Sequence, residues 1–412
     1  MSKQYKQIPL LAAAILCLSV TPPLAAWAGK VPENQHTKQL VEGLYSENLE
    51  AATYFQQGVT RYNRKDFPAA EMAFRKALQF DPFIPMARYL LGNSLVEQGR
   101  IESGAEQYQL AINLNPNMPE AHYNLGLTFY QQGKTDDAII SYLRALSLNP
   151  NLAEARYNLG LAFESKGQIS DAIAAYNEAV RLNPKYSSAQ YNLGLLFVKQ
   201  NQIEPAITAL QQAVSTNPNL LQAQYQLGLL LVQQERQEEA KTAFLAVTKL
   251  DSKFAPAHYQ LGLILIKEGD LKEAIRRFDW VTQLEPNNVD AYRQLGAVLT
   301  KNNEYEDAAV VLKKAVAIDS YDAITHYNLA VALHQNKEYE PAIAQYQEAI
   351  FLNSKLSLAF YNIGIALQQS GRGAESGSFF QEARRLFIQE GNLEKIDELD
   401  KYIQQLNTPP TP

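Results

Sequence analysis

The sequence predicts an all-α solenoid, ten helix pairs stacked in single file, and three observations carry that prediction. The pentapeptide Tyr-Asn-Leu-Gly-Leu starts at Tyr123, Tyr157 and Tyr191 and returns as Tyr-Gln-Leu-Gly-Leu at Tyr225 and Tyr259, each time 34 residues on. Its glycine keeps that register at Gly58, Gly92, Gly126, Gly160, Gly194, Gly228, Gly262, Gly296, Ala330 and Gly364, without insertion or deletion. Around each glycine, small and large apolar residues alternate at fixed distances. A period of this length marks units that pack on their neighbours, so 412 residues, 46% apolar and 19% charged, count repeats rather than globular domains.

Residues 1–28 stand apart from the repeats. Lys3 and Lys6 precede an apolar run from Pro9 to Val20, followed by Pro22-Pro23 and Ala26-Trp27-Ala28, the order of an export signal cut before Gly29. The run is shorter than the ~20 residues of a spanning helix; only if retained would it tie the chain to a membrane. Leu16, large and directly before Cys17, disfavours lipidation. Cleavage removes Cys17, the one cysteine, and with it any disulfide or thiolate metal site. Loss of two lysines and no acid also moves the formal net charge from −6 to −8, which disfavours a nucleic-acid partner. The expected setting is a bacterial cell envelope, periplasm or exterior, or the thylakoid lumen of a photosynthetic organism. Residues 29–50 are expected to form a linker and a short capping helix around Leu40, Val41 and Leu44.

The ten units are 51–84, 85–118, 119–152, 153–186, 187–220, 221–254, 255–288, 289–322, 323–356 and 357–390. Twelve residues after the glycine stands a small side chain such as Ala70, Gly104, Ala138 or Ala172, and nineteen after it another, with Val247 and Val281 the larger exceptions. Sixteen after it stands a large one: Phe74, Tyr108, Tyr142, Tyr176, Leu210, Phe244, Phe278, Leu312, Tyr346 and Phe380. Small residues let helix axes approach and large ones fill the grooves, so each unit needs two helices. Gly99, Gly133, Gly167, Gly269 and Gly371, with Asn201 and Asn303, mark the end of the first helix, since these residues tolerate the left-handed conformation. Asp81-Pro82, Asn115-Pro116, Asn149-Pro150, Asn183-Pro184, Asn217-Pro218 and Glu285-Pro286 end the second.

Both ends are built for water. Gln57 replaces the leucine or isoleucine of the other units, and glycines at 371, 373 and 377 loosen the tenth. Residues 391–406 place Leu393, Ile396, Leu399, Ile403 and Leu406 on one stripe, an expected amphipathic capping helix, and 407–412 are expected to form a disordered tail.

This pattern, over about 340 residues, resembles the tetratricopeptide repeat family. The resemblance implies a right-handed superhelix whose first helices line a concave groove. Arg88, His122, Arg156, Gln190 and their equivalents depart from the family's tryptophan-prone position, four before the glycine. On the groove face fall the residues three and two before the glycine. Two before it run Asn124, Asn158, Asn192, Gln226, Gln260, Gln294, Asn328 and Asn362; three before it, Tyr123, Tyr157, Tyr191, Tyr225, Tyr259, Tyr327 and Tyr361, interrupted by Arg293. A carboxamide both donates and accepts, which suits an extended peptide backbone. The asparagine ladder is similar to that in the repeat region of O-linked N-acetylglucosamine transferases, where it holds substrate backbone; their catalytic domain has no counterpart after Glu390. Leu, Ala, Val or Ile mostly follows the glycine, Asn93 excepted, which disfavours a clamp for C-terminal carboxylates.

The expected function is non-enzymatic: a scaffold or adaptor that binds an extended segment or a protein partner along these fifteen residues. The same tyrosines and asparagines could instead serve the scaffold alone. His122, His258 and His326 share a slot but lie too far apart to share a metal, His334 lacks ligand companions, and no nucleophile–base pair, phosphate loop or carboxylate pair breaks the repeat. No cofactor, metal or small-molecule substrate is expected. Trp280 stands where other units place Lys76, Arg144 or Glu178, an expected contact on the convex face unless Val281 signals local repacking. Two other readings stay open, a detached binding subunit of a protein-modifying enzyme and a self-associating assembly factor.

Overall fold

The computed structural model describes Ser46 and residues 48–407; the expected export signal, most of the N-terminal linker and residues 408–412 lie outside the described residues. In the first compact unit, through Leu196, helices run in consecutive pairs: Leu49–Asn63 (α1) with Phe67–Phe80 (α2), Pro85–Glu97 (α3) with Ile101–Leu114 (α4), Pro119–Gln131 (α5) with Thr135–Leu148 (α6), and Ala153–Ser165 (α7) with Ile169–Leu182 (α8). Ser187–Lys199 (α9) begins there and ends in the second unit, which starts at Phe197. That unit holds Ile203–Thr216 (α10), Leu221–Gln233 (α11), Gln237–Leu250 (α12), Ala255–Glu268 (α13), Leu271–Leu284 (α14), Val289–Lys301 (α15), Tyr305–Ile318 (α16), Ala323–Gln335 (α17), Tyr339–Leu352 (α18) and Ser357–Gln369 (α19). A 3₁₀ turn at Gly373–Glu375, Ser376–Glu390 (α20) and Leu393–Asn407 (α21) complete it. All 21 α-helices belong to such helix–turn–helix units or cap them, and no strand occurs among the described residues.

The repeat glycine sets the approach of the two helices. A Cβ on Gly126 would stand 2.6 Å from Tyr142 Cε1, and one on Gly262 2.6 Å from Phe278 Cζ, so the large residue sixteen positions on lies flat against the glycine. Those large residues are buried in every unit, as are the alanines twelve and nineteen after the glycine. Val247 and Val281 are buried in the same slot without breaking the pairing.

Helix ends follow two rules, one wider than the sequence suggests. The residue seven after the glycine is left-handed in all ten units: besides the five glycines and two asparagines, Lys65 (φ 59°), Glu235 (φ 58°) and Lys337 (φ 65°) adopt it. Position, not residue type, imposes the turn there. Where the second helix ends, the proline is secondary to the Asn or Asp before it, whose Oδ1 accepts the N–H two residues on: Asn117 to Asn115 at 3.1 Å, Asn151 to Asn149 at 3.1 Å, Asn219 to Asn217 at 3.1 Å. The same bond forms at Asp251, Asp319 and Asn353, which no proline follows.

The two ends differ. The outer face of α1 is polar, with Thr53, Gln56, Gln57, Thr60, Arg61 and Arg64 lining a shallow depression of about 580 Å³. At the other end α21 buries Leu399 against Tyr361, Phe380 and Phe387, with Ile396 and Ile403 half-buried beside them. Two sequence expectations shift here. Leu393 opens the helix and stays 74% exposed, outside the apolar stripe, and the helix includes Asn407, the first residue of the expected tail.

Candidate functional site

The tyrosine and asparagine of successive units are bonded to each other. Asn124 Nδ2 donates to Tyr89 Oη at 3.2 Å, Asn158 to Tyr123 at 2.8 Å, Asn192 to Tyr157 at 3.3 Å and Asn362 to Tyr327 at 3.1 Å. Each bond ties the first helix of one unit to the first helix of the next. This is a structural use of the two slots that spacing alone did not show, because it joins residues 35 apart. Gln294 bonds Tyr259 in the same way.

A second layer lies beneath. Tyr108 donates to Asn93 Oδ1 at 2.7 Å, which also accepts from Asn124 at 2.9 Å; Tyr176 receives Asn192 at 3.3 Å and donates to Glu164 at 3.1 Å. Tyr142 is fully buried, and its hydroxyl has no partner among the described residues. The sequence signal for this layer was Asn93, the single polar residue directly after a repeat glycine.

Burial is the main force on these phenols. It pushes Tyr157 up to about 12 and Tyr123 and Tyr89 further, with Glu154 adding to the rise at Tyr123 and Glu120 at Tyr89. Tyr89, Tyr361 and Asn158 are buried, whereas Tyr123, Asn124, Tyr157, Tyr191, Asn192, Tyr225, Gln226, Tyr259, Gln260, Gln294, Tyr327, Asn328 and Asn362 are half-buried. The ladder is therefore the floor of its face rather than a set of free-standing side chains. Among the described residues, Gln226, Gln260 and Asn328 are the carboxamides of the ladder that make no hydrogen bond.

Arg293 explains the one interruption. The residue 26 after the glycine packs on the ladder residue of its own unit: Tyr186 against Tyr157 with ring centres 4.8 Å apart, Phe254 against Tyr225 at 5.0 Å. In the eighth unit that residue is Asp322, and Arg293 Nε lies 3.2 Å from its carboxylate. Arg293 also reaches Asp319 at 2.8 Å, Asp290 at 3.0 Å and Thr325 Oγ1 at 2.6 Å. An ion pair has replaced a ring contact at both of its ends.

The histidines have a shared structural role. His122, His258 and His326 each set Nε2 against the backbone carbonyl six residues earlier, at 3.0, 3.0 and 3.1 Å, and Gln190 does the same at 2.8 Å. Trp280, 39% exposed, donates its indole N–H to Ser252 O at 3.0 Å, the carbonyl that His258 also binds. Its ring edge is thus committed to the preceding loop while Val281 beside it is buried. No group of three or more metal-ligating side chains converges, and no helix is long and apolar enough to cross a membrane, among the described residues.

The family model of the C-terminal domain of cilia and flagella-associated protein 70 matches residues 117–318, and that of the TPR repeat matches 92–133 and 332–371. Solved structures with similar folds include YrrB, described as a TPR protein with an unusual peptide-binding site, at 27% identity and a TM-score of 0.41, covering 45% of this chain and 96% of that one. MamA from Desulfovibrio magneticus RS-1 is 25% identical with a TM-score of 0.39, covering 40% and 94%. The pilF protein of Pseudomonas aeruginosa is 21% identical with a TM-score of 0.45, covering 49% and 92%. No curated protein matches the chain. The family models carry the repeat, and no match carries the likeness to glycosyltransferases.

Proposed function

We propose that this chain, which is a tetratricopeptide repeat protein, is a non-catalytic scaffold of the cell envelope that binds an extended segment of a protein partner on the face of its first helices. One observation supports this most. At Tyr123, Tyr157 and Tyr327 the tyrosine that receives the asparagine N–H has no acceptor for its own proton among the described residues, and Asn158, Asn192 and Asn362 have no donor to Oδ1 there. A donor and an acceptor therefore stand together at three joints, matching the alternating groups of a peptide backbone. Tyr361 shows such a proton in use, donating to Glu398 of α21 at 2.9 Å. The envelope part of the proposal is supported by the lysine-flanked apolar run and small residues of 1–28.

Gln260 and Asn328 allow a test that leaves the fold alone. In a cross-linking pull-down from envelope extract, the partner is expected to be retained by wild type and by Trp280→Ala, and lost from Gln260→Ala/Asn328→Ala. Equal recovery by all three would remove the ladder of the seventh and ninth repeats from recognition. The mass of the chain purified from envelope is expected to begin at Gly29; an intact Met1 would overturn the export signal.

A further inference from the structure

Resting on the reading of this face as a peptide groove, the third and fourth repeats restrict what the peptide must carry. Glu120 in α5 and Glu154 in α7 stand six residues before the repeat glycine, one helical turn before Tyr123 and Tyr157 and on the same face. Each stands in the first turn of its helix, and neither carboxylate has an ion-pair or hydrogen-bond partner among the described residues. Along this face, six and three before the glycine and one and four after it, α5 reads Glu, Tyr, Leu, Tyr and α7 reads Glu, Tyr, Leu, Glu. No lysine or arginine interrupts them. Tyr123 lies between the two acids, since Glu120 precedes it by one turn and its hydroxyl receives Asn158, one turn after Glu154.

The C-terminal cap shows, independently, what a ladder tyrosine accepts. Lys395 of α21 places Nζ 5.6 Å from the centre of the Tyr361 ring. The Tyr361 hydroxyl donates to Glu398 at 2.9 Å, and Glu398 holds Lys395 Nζ at 2.6 Å. Phenol, carboxylate and ammonium form one cluster. At Tyr123 the phenol and the carboxylates are present on the protein, and the cation is the complementary part.

We infer that the groove face of α5 and α7 binds an extended peptide segment bearing two basic side chains, one set against Glu120 and the other against Glu154, with the Tyr123 ring between them. Packed helices lie roughly 8–10 Å apart and an extended chain advances about 3.3 Å per residue, so the two basic residues are about three apart. An ammonium over a tyrosine ring adds attraction to the charge pairing.

The probe is a capped, fluorescent hexapeptide, Ala-Lys-Ala-Ala-Lys-Ala, beside versions with norleucine or glutamate in place of both lysines. Binding to the full chain is read by anisotropy at low salt. The lysine peptide is expected to bind about fivefold tighter than the norleucine peptide, the effect of two modest ion pairs, and the glutamate peptide weakest. Glu120→Gln/Glu154→Gln is expected to bring the lysine-to-norleucine ratio close to one, as is high salt. Equal binding of the lysine and norleucine peptides overturns the inference while leaving a groove that binds backbone. A lysine preference that survives in the double variant, or no binding of any peptide, also overturns it. The groove reading itself is decided separately, by the Gln260 and Asn328 variant.

Discussion

Single hydroxyls separate two otherwise equivalent tyrosines. Tyr108 and Tyr142 occupy the same slot and are both buried, yet only Tyr108 donates, to Asn93. Removing a satisfied buried hydroxyl costs about 1 kcal/mol, whereas removing an unsatisfied one costs nothing or stabilises. Urea melts are therefore expected to show Tyr108→Phe destabilised by about 1 kcal/mol and Tyr142→Phe unchanged or more stable; equal losses would contradict the assignment. Gly126 is the close-approach residue of the same unit, and alanine there must displace the Tyr142 ring. The cost expected is about 1 kcal/mol, the low end for overpacking, because the ninth unit accommodates Ala330 opposite Tyr346. The glycine slot was plain in the sequence, but the difference between the two tyrosines was not. It depends on whether asparagine or leucine follows the glycine, and only the packed helices show that this residue meets the hydroxyl.

Helix ends and the joints between helices are specified by position as much as by residue type. Lys337 holds a left-handed backbone in the slot where five units carry glycine. That conformation costs a side chain about 1–2 kcal/mol, partly offset by glycine's entropy in the unfolded chain. Lys337→Gly is thus expected to raise stability by about 0.5 kcal/mol, read as a higher denaturant midpoint with an unchanged slope. The eighth joint is the reverse case, an exchange of chemistry at fixed position. Arg293 and Asp322 must change together, so Arg293→Tyr alone sets a ring on three acids, Asp290, Asp319 and Asp322. It is expected to destabilise more than Arg293→Tyr/Asp322→Leu; the order of the two midpoints tests the pairing.

Over the whole molecule, stability is bounded on both sides of neutral pH. His122 and His258 are held below the ordinary imidazole range, mainly by burial, with Arg144 and Arg277 nearby adding to it. A histidine whose folded pKa is depressed is easier to protonate in the unfolded chain. Its contribution is complete above about pH 6.5 and is lost as pH falls through the folded value. The buried phenols act oppositely. Tyr62 and Tyr157 are pushed up to about 12, chiefly by burial, so their contribution is complete below about pH 10 and is lost as pH rises through the folded values. Tyrosinate absorbance and helical circular dichroism are expected to change together between about pH 10 and 12. Complete tyrosinate formation with the helices intact would show them free of the core.

The sequence by itself determined the period, the helix pairs, the residues that pack between them and most of the turns. These follow from side-chain volume and backbone preference repeated at one spacing, which a linear reading captures. Tertiary structure alone decided that Tyr123 and Asn158, 35 residues apart, bond each other, that Tyr186 and Asp322 answer Tyr157 and Arg293, and that Trp280 spends its N–H on Ser252. Those partnerships depend on which side chains neighbouring units bring within about 3 Å for a hydrogen bond. A ladder that reads in sequence as a row of free carboxamides becomes, at Tyr123, Tyr157 and Tyr327, a set of joints between neighbouring repeats.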